Sequence, residues 1–273
     1  MLQNRRIMKK FNFNGYDLEY FEQNTNKNKN MIFIHGFGSN VNFFDSLINE
    51  FCDEYNIFGL NMPAHGNSEY DNKLMNFETF CEIFRQFLNF LDLRNVTLIG
   101  HSLGGGIAGA NLINSHQIKK CILIGPMNRT SLAKVKEFND CFFPTNLNEW
   151  EKLIRLCYFN PDSIISNQEI RKKTQQYFVE NCVQIEYVYK LGKNLPSNKN
   201  MDLIENGLNK SNTKIGLFIG DHDGIIDLEN IVPYYQNVVK NLKVYKINNA
   251  GHSIWLENWN DFVNKLHEFL NEL

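Results

Sequence analysis

The chain has 273 residues, 43% of them hydrophobic, with 22 phenylalanines. That is enough apolar side chain for one large α/β domain, or a domain carrying an insertion, and it excludes a disordered composition. With 28 basic against 30 acidic side chains and a net charge of −2, no basic excess exists to hold a phosphate backbone, which excludes nucleic acid as a main partner.

The N-terminus carries Arg5, Arg6, Lys9 and Lys10 and then turns polar at Asn12, Asn14 and Asp17. A signal peptide needs an apolar stretch after such charges. No apolar run reaches the ~18 residues that span a bilayer. The expectation is a cytoplasmic protein without stable membrane insertion. Residues 1–7 read as a flexible leader ahead of Met8, an alternative start.

Asn14-Gly15 lies between two alternating segments, Lys10 to Phe13 and Tyr16 to Tyr20, and predicts a hairpin with a two-residue turn. After a polar loop from Asn24 to Asn30, short apolar strands alternate with helical segments. Met31 to Ile34 is a strand, Phe43 to Phe51 has helical spacing, and Tyr55 to Leu60 is the next strand. Phe77, Phe80, Phe84, Phe87, Leu88 and Leu91 mark one face of a helix. Then follow a strand Val96 to Ile99, a Gly/Ala-rich helix Leu103 to Ile113, and a strand Cys121 to Ile124. This alternation predicts an α/β fold, a mostly parallel sheet covered on both faces. It stops at Gly125-Pro126. From 127 to 213 the periodicity is helical throughout, and a strand Ile215 to Ile219, a helix Ile231 to Val239, a strand Lys243 to Ile247 and a helix Trp259 to Leu270 complete the series. The expected division is therefore a core of residues 1–126 and 214–273 interrupted by a helical insertion, 127–213. Asn and Lys are in general excess, which points to an AT-rich genome rather than to a function.

Six cysteines, at 52, 81, 121, 141, 157 and 182, form no Cys-x-x-Cys pair and several lie in apolar runs. They read as buried free thiols in a reducing compartment, and the absence of paired Cys and His ligands predicts no metal site.

Gly100-His101-Ser102-Leu103-Gly104 directly follows one strand and directly precedes one helix. Gly-x-Ser-x-Gly arises by chance in roughly one chain in ten of this length. The flanking strand and helix therefore carry the weight: a serine on that sharp turn projects its hydroxyl from the sheet at a helix N-terminus, where free N–H groups meet developing negative charge. His35-Gly36-Phe37-Gly38 ends another strand, where a glycine-flanked loop can aim the Phe37 N–H at an oxyanion; the Leu103 N–H would be the second donor. A serine is unreactive unless a base takes its proton. Of seven histidines, His252 alone sits on a Gly-containing loop after a late strand, in Ala250-Gly251-His252-Ser253. Gly220-Asp221-His222-Asp223-Gly224 offers two acids, Asp221 and Asp223, of which Asp223 is preferred.

The order Ser102, Asp223, His252, with the elbow and His35-Gly36-Phe37-Gly38, resembles the α/β-hydrolase superfamily, and more narrowly its small esterase/lipase-like serine hydrolases with a helical cap. The resemblance runs from about Tyr20 to Leu270. It implies an eight-stranded, mostly parallel sheet with the cap, here 127–213, inserted after the sixth strand, and Gly220-x-x-Asp223 matches the family's acid position. Family members often read Asp-x-Pro-Gly-x-Gly-x-Ser where this chain reads Asn61-Met62-Pro63-Ala64-His65-Gly66-Asn67-Ser68.

The expected mechanism is attack by Ser102 on the carbonyl of a small acyl ester, with His252 as base and then acid, Asp223 orienting it, and an acyl-enzyme hydrolysed by water. No cofactor is expected. Each step needs a neutral imidazole, so activity should fall below pH roughly 6 to 7. Phe142, Phe143, Trp150, Phe159, Tyr177, Phe178 and Tyr187 either wall an acyl pocket or form the core of the cap. The alternatives are thioester, carbon–carbon or proline-iminopeptidase-like chemistry, or a non-catalytic ligand-binding module. Oligomeric state is open.

Overall fold

The computed structural model describes residues 8–113 and 116–272. The leader expected over residues 1–7 lies outside them. Strands β1 (Met8–Phe13) and β2 (Tyr16–Gln23) form the expected hairpin, with Asn14 and Gly15 both at positive φ, as a type I′ turn requires. β3 (Asn30–Ile34), helix α1 (Asp45–Phe51), β4 (Asn56–Leu60), α2 (Phe77–Leu91), β5 (Val96–His101), α3 (Leu103–Ala110) and β6 (Ile118–Ile124) follow. α3 stops at Ala110 rather than Ile113 because Asn111 turns the chain out, its side-chain amide donating to the Ile107 carbonyl at 2.9 Å.

Between β6 and the next strand come six helices: α4 (Val135–Cys141), α5 (Leu147–Cys157), α6 (Pro161–Ile165), α7 (Gln168–Glu180), α8 (Cys182–Gly192) and α9 (Asn198–Lys210). β7 (Lys214–Gly220), α10 (Ile231–Val238), β8 (Leu242–Ile247), α11 (Ile254–Glu257) and α12 (Trp259–Asn271) complete the described chain. The asparagine excess has local work here. Asn76, Asn146, Asn167 and Asn258 each cap a helix, accepting a backbone N–H of its first turn.

The eight strands form one sheet in the order β1-β2-β4-β3-β5-β6-β7-β8. β2 is antiparallel to β1 and β4, and every pair from β4 to β8 is parallel. Strand alternation divides the core in two. Ile32, Ile34, Leu98 and Leu123 pack under α2, α3, α9 and α10, while Met31, Phe33, Ile99 and Ile122 pack under α1 and α12. Such two-sided burial explains why the strands read as unbroken apolar runs.

Parallel strands in this order place the chain just after β3, β5, β6, β7 and β8 along one rim. Of the six cysteines, all are free, Cys121 and Cys157 are buried, and Cys182, at the start of α8, is exposed, contrary to the expectation of burial. Its side chain leaves the solvent-facing side of a helix that buries Ile185, Val188 and Leu191. Among the described residues no helix is long and apolar enough to cross a membrane.

Candidate active site

Ser102 joins β5 to α3 with φ 55° and ψ −119°, a conformation that costs a non-glycine residue about 1–3 kcal/mol. Backbone hydrogen bonds hold it there. Its N–H donates to Ile124 O at 2.9 Å, and its carbonyl accepts from Gly105 N and Met127 N, both at 2.9 Å. Gly104 must lack a side chain, because a Cβ there would lie 2.2 Å from the Ile34 carbonyl oxygen. The end of β3 can therefore pass directly beneath the first turn of α3, bringing Phe37 and Ser102 to one cavity.

Asp223 and His252 meet from neighbouring strand ends. The Asp223 Oδ2 lies 2.7 Å from His252 Nδ1, both residues are buried, and Asp223 Oδ1 accepts the Ile225 N–H at 3.1 Å. A carboxylate only accepts, so the neutral form of this imidazole carries its proton on Nδ1 and its lone pair on Nε2. His252 Nε2 is buried and has no hydrogen-bond partner among the described residues. Asp221, the other acid the sequence offered, instead receives His222 Nδ1 at 2.6 Å and the Ala250 N–H at 3.2 Å.

Ser102, His252, Leu103, Phe37 and Gly125 line one cavity of about 50 Å3. Ser102 and His252 both line this cavity, and no hydrogen bond joins Ser102 Oγ to His252 Nε2. Such bonds are commonly long until substrate is bound. Leu103 is the first residue of α3 and so has no intrahelical acceptor for its N–H, and the Phe37 N–H makes no hydrogen bond among the described residues. The arrangement brings together a strained hydroxyl, an imidazole with a free acceptor nitrogen and backbone donors at a helix N-terminus. That set can deprotonate an alcohol and stabilise an oxyanion.

Three further histidines surround the site, and sequence reasoning gave them no role. His35 Nδ1–H donates to Gly36 O at 2.8 Å while its Nε2 accepts the Met62 N–H at 3.0 Å. His65 Nδ1–H donates to Pro63 O at 2.9 Å and its Nε2 accepts the Gly38 N–H at 3.1 Å. The two imidazoles thus tie the Phe37 loop to the loop after β4. His101 Nε2–H donates to the His252 carbonyl at 3.0 Å, its ring 4.6 Å from the His252 ring, and Trp255 closes over it. Desolvation holds all three neutral, pulling His35 down to about 3, His65 to about 4 and His101 well below the ordinary imidazole value. The available signal was their position in His35-Gly36 and Pro63-Ala64-His65-Gly66; no periodicity marks them.

The C-terminal end of α5 braces the Asp223 and His252 loops from the other side. Cys157 O accepts the His252 N–H at 2.6 Å and Leu156 O accepts the Gly224 N–H at 3.1 Å. Of the aromatic residues expected to wall a pocket, Phe142, Trp150, Tyr177 and Phe178 line a second cavity of about 500 Å3. Phe143 backs Phe37 at 6.0 Å. Phe159 packs instead on His222, and Tyr187 on Tyr70, because their segments lie over the β7 loop and the loop after β4.

A model of the alpha/beta hydrolase fold family matches residues 29–258. A Mycoplasma pneumoniae protein named "Putative esterase/lipase 1" is 25% identical over 254 residues, covering 91% of this chain and 93% of its own. Among solved structures, a bacterial membrane phospholipase A superposes with TM-score 0.83 at 18% identity, over 97% of this chain and 86% of that one. The 2-hydroxy-6-oxo-6-phenylhexa-2,4-dienoate hydrolase of Rhodococcus sp. strain RHA1 gives TM-score 0.78 at 16% identity, over 98% and 99%. These two are likenesses of fold.

Proposed function

Because this chain belongs to the alpha/beta hydrolase fold family, we propose that it is a serine hydrolase cleaving carboxylic esters, with Ser102 as nucleophile, His252 as general base and Asp223 as its orienting acid. The observation that carries the reading is the buried Asp223–His252 pair, 2.7 Å apart, whose imidazole keeps Nε2 without a partner among the described residues and lines the same cavity as Ser102. The esterase/lipase name of the M. pneumoniae relative, which this chain matches along nearly its whole length, supports an ester as the substrate.

In this mechanism His252 Nε2 takes the Ser102 proton as Oγ attacks the carbonyl carbon. The tetrahedral oxyanion is received by the N–H groups of Phe37 and Leu103. Protonated His252 then gives its proton to the departing alcohol, and a water molecule, activated by the same nitrogen, releases the acid from Ser102. Asp223 keeps the proton on Nδ1 and stabilises the imidazolium in each half-reaction. Residues 127–213 serve as the cap, with α5 docked on the acid and base loops and α9 on α3.

The test is labelling with a small fluorophosphonate, followed by peptide mapping, together with a hydrolysis screen of esters, thioesters and carbon–carbon substrates. Labelling at Ser102 and ester turnover are expected, and Ser102→Ala should lower kcat by roughly four to six orders of magnitude with little change in melting temperature. A folded Ser102→Ala protein that still turned over esters at the wild-type rate would overturn the assignment, as would preferred cleavage of another bond for the ester specificity.

A further inference from the structure

Two cavities meet at the same pair of aromatic rings. The inner one, bounded by Ser102, Leu103 and His252, is about 50 Å3. The outer one is about 500 Å3 and lies within the helical insertion, among Pro144, Trp150, Tyr177, Phe178 and Val188. Phe37 and Phe142 line both. They form the partition.

The two rings differ in how they are held. Phe37 rides on the loop tied down through Gly38 and His65, and its backbone N–H belongs to the proposed oxyanion site. Phe142 caps the C-terminus of α4, its N–H bonded to Phe138 O at 2.9 Å and its ring stacked on Phe138 at 4.8 Å. Removing the Phe142 ring therefore opens the wall at the loss of its contact with the Phe37 ring, 6.5 Å between centroids, while the Gly38–His65 tie of that loop stays in place. The space beyond is walled mainly by aromatic and aliphatic side chains. Its one cation, Lys173, is paired with Glu169 at 2.6 Å, so the chamber suits hydrocarbon rather than an anionic group.

From this geometry, and resting on the ester-hydrolase reading, we infer that Phe142 sets the acyl length the enzyme accepts. With the ring in place, the inner cavity, about 50 Å3 against about 500 Å3 for the outer one, takes only short acyl groups. Without it, the inner cavity runs into the outer chamber and longer chains gain a site. Each further methylene buried is worth about fourfold in binding, so the selectivity should change steeply.

The experiment measures acid release from methyl acetate, butanoate, octanoate and dodecanoate, a series with a small constant leaving group, by wild type, Phe142→Ala and Phe142→Val. Wild type should lose at least tenfold in kcat/KM between butanoate and octanoate. Phe142→Ala should raise the octanoate-to-butanoate ratio in kcat/KM at least tenfold, and Phe142→Val should fall between. Should the alanine variant not fold, the valine variant reads the same ratio. An unchanged ratio in a folded variant overturns the inference, as does a wild-type enzyme that takes dodecanoate as readily as butanoate. Fluorophosphonate labelling of Ser102 in the same preparations separates the two readings. Labelled Ser102 with an unmoved ratio removes the role of Phe142 alone, whereas an unreactive Ser102 with no ester turnover removes both.

Discussion

At the scale of single residues, departures from the family pattern have local causes. Where relatives often carry Asp, Asn61 accepts the Val41 N–H at 2.8 Å and donates its amide to Glu19 Oε2, also at 2.8 Å. Glu19 in turn receives the Asn67 backbone and side chain, clipping the whole loop to β2. An aspartate could make the first bond but would set its other oxygen against a carboxylate. Asn61→Asp should therefore cost about 2 kcal/mol at pH 7. The deficit relative to wild type should shrink as pH falls and the pair gains a proton, which urea melts of both proteins at pH 7 and 5 would show. This partnership explains a deviation that the sequence displayed without a reason, since Glu19 lies 42 residues away. Ser102, Asp223, His252, Phe37 and Leu103, the residues proposed for the site, each lie at or just past a strand end beside small residues, and the sequence displays that signature. The roles of His35, His65 and His101 are not displayed there, because their work is done through backbone groups on other loops.

At the scale of elements, the strands and the amphipathic helices were legible wherever one periodicity persisted. Phe77, Phe80, Phe84 and Phe87 are all buried along α2, as their spacing requires. What a sequence does not display is which helices touch. α9, far from α3 in sequence, packs on it backbone to backbone: a Cβ at Gly207 would sit 2.1 Å from the Gly109 carbonyl oxygen. On helix propensity alone, Gly207→Ala should stabilise α9 by about 1 kcal/mol. The contact should reverse that sign, for a net loss of about 1–3 kcal/mol. The neighbouring exposed Asn206→Ala serves as the comparison and should gain a few tenths of a kcal/mol. Urea midpoints of the two variants decide between propensity and packing. The aromatic residues of the insertion were ambiguous for the same reason, since composition alone does not tell a pocket wall from a surface contact. Phe178 lines the cavity of about 500 Å3, while Phe159 rests on His222 and lines a separate cavity beside Tyr158 and Leu256.

At the scale of the whole molecule, three imidazoles buried in the neutral form couple stability to acidity. Once unfolded, His35, His65 and His101 bind protons near pH 6.5, whereas in the fold His35 and His65 do so only at about 3 and about 4, and His101 well below its ordinary value. Stability is therefore undiminished by them above pH 6.5 and is lost as pH falls through that value. The loss is on the order of 1 kcal/mol per histidine per pH unit, or about 3–4 kcal/mol between pH 7 and 5.5 for the three together. Urea denaturation across that range should show the slope, and His65→Asn should flatten it by about one third whatever its effect at pH 7. The parallel sheet has a consequence for assembly as well. β6 and β7 are partners in register, Lys120 opposite Lys214, yet six helices of chain intervene. During synthesis from the N-terminus, the Ser102 turn and the Phe37 loop are finished long before β7 and β8 emerge. Closing that wide loop is an entropic hurdle met late. A half-made chain thus holds the Ser102 turn without the Asp223–His252 pair, which joins it only with the last strands.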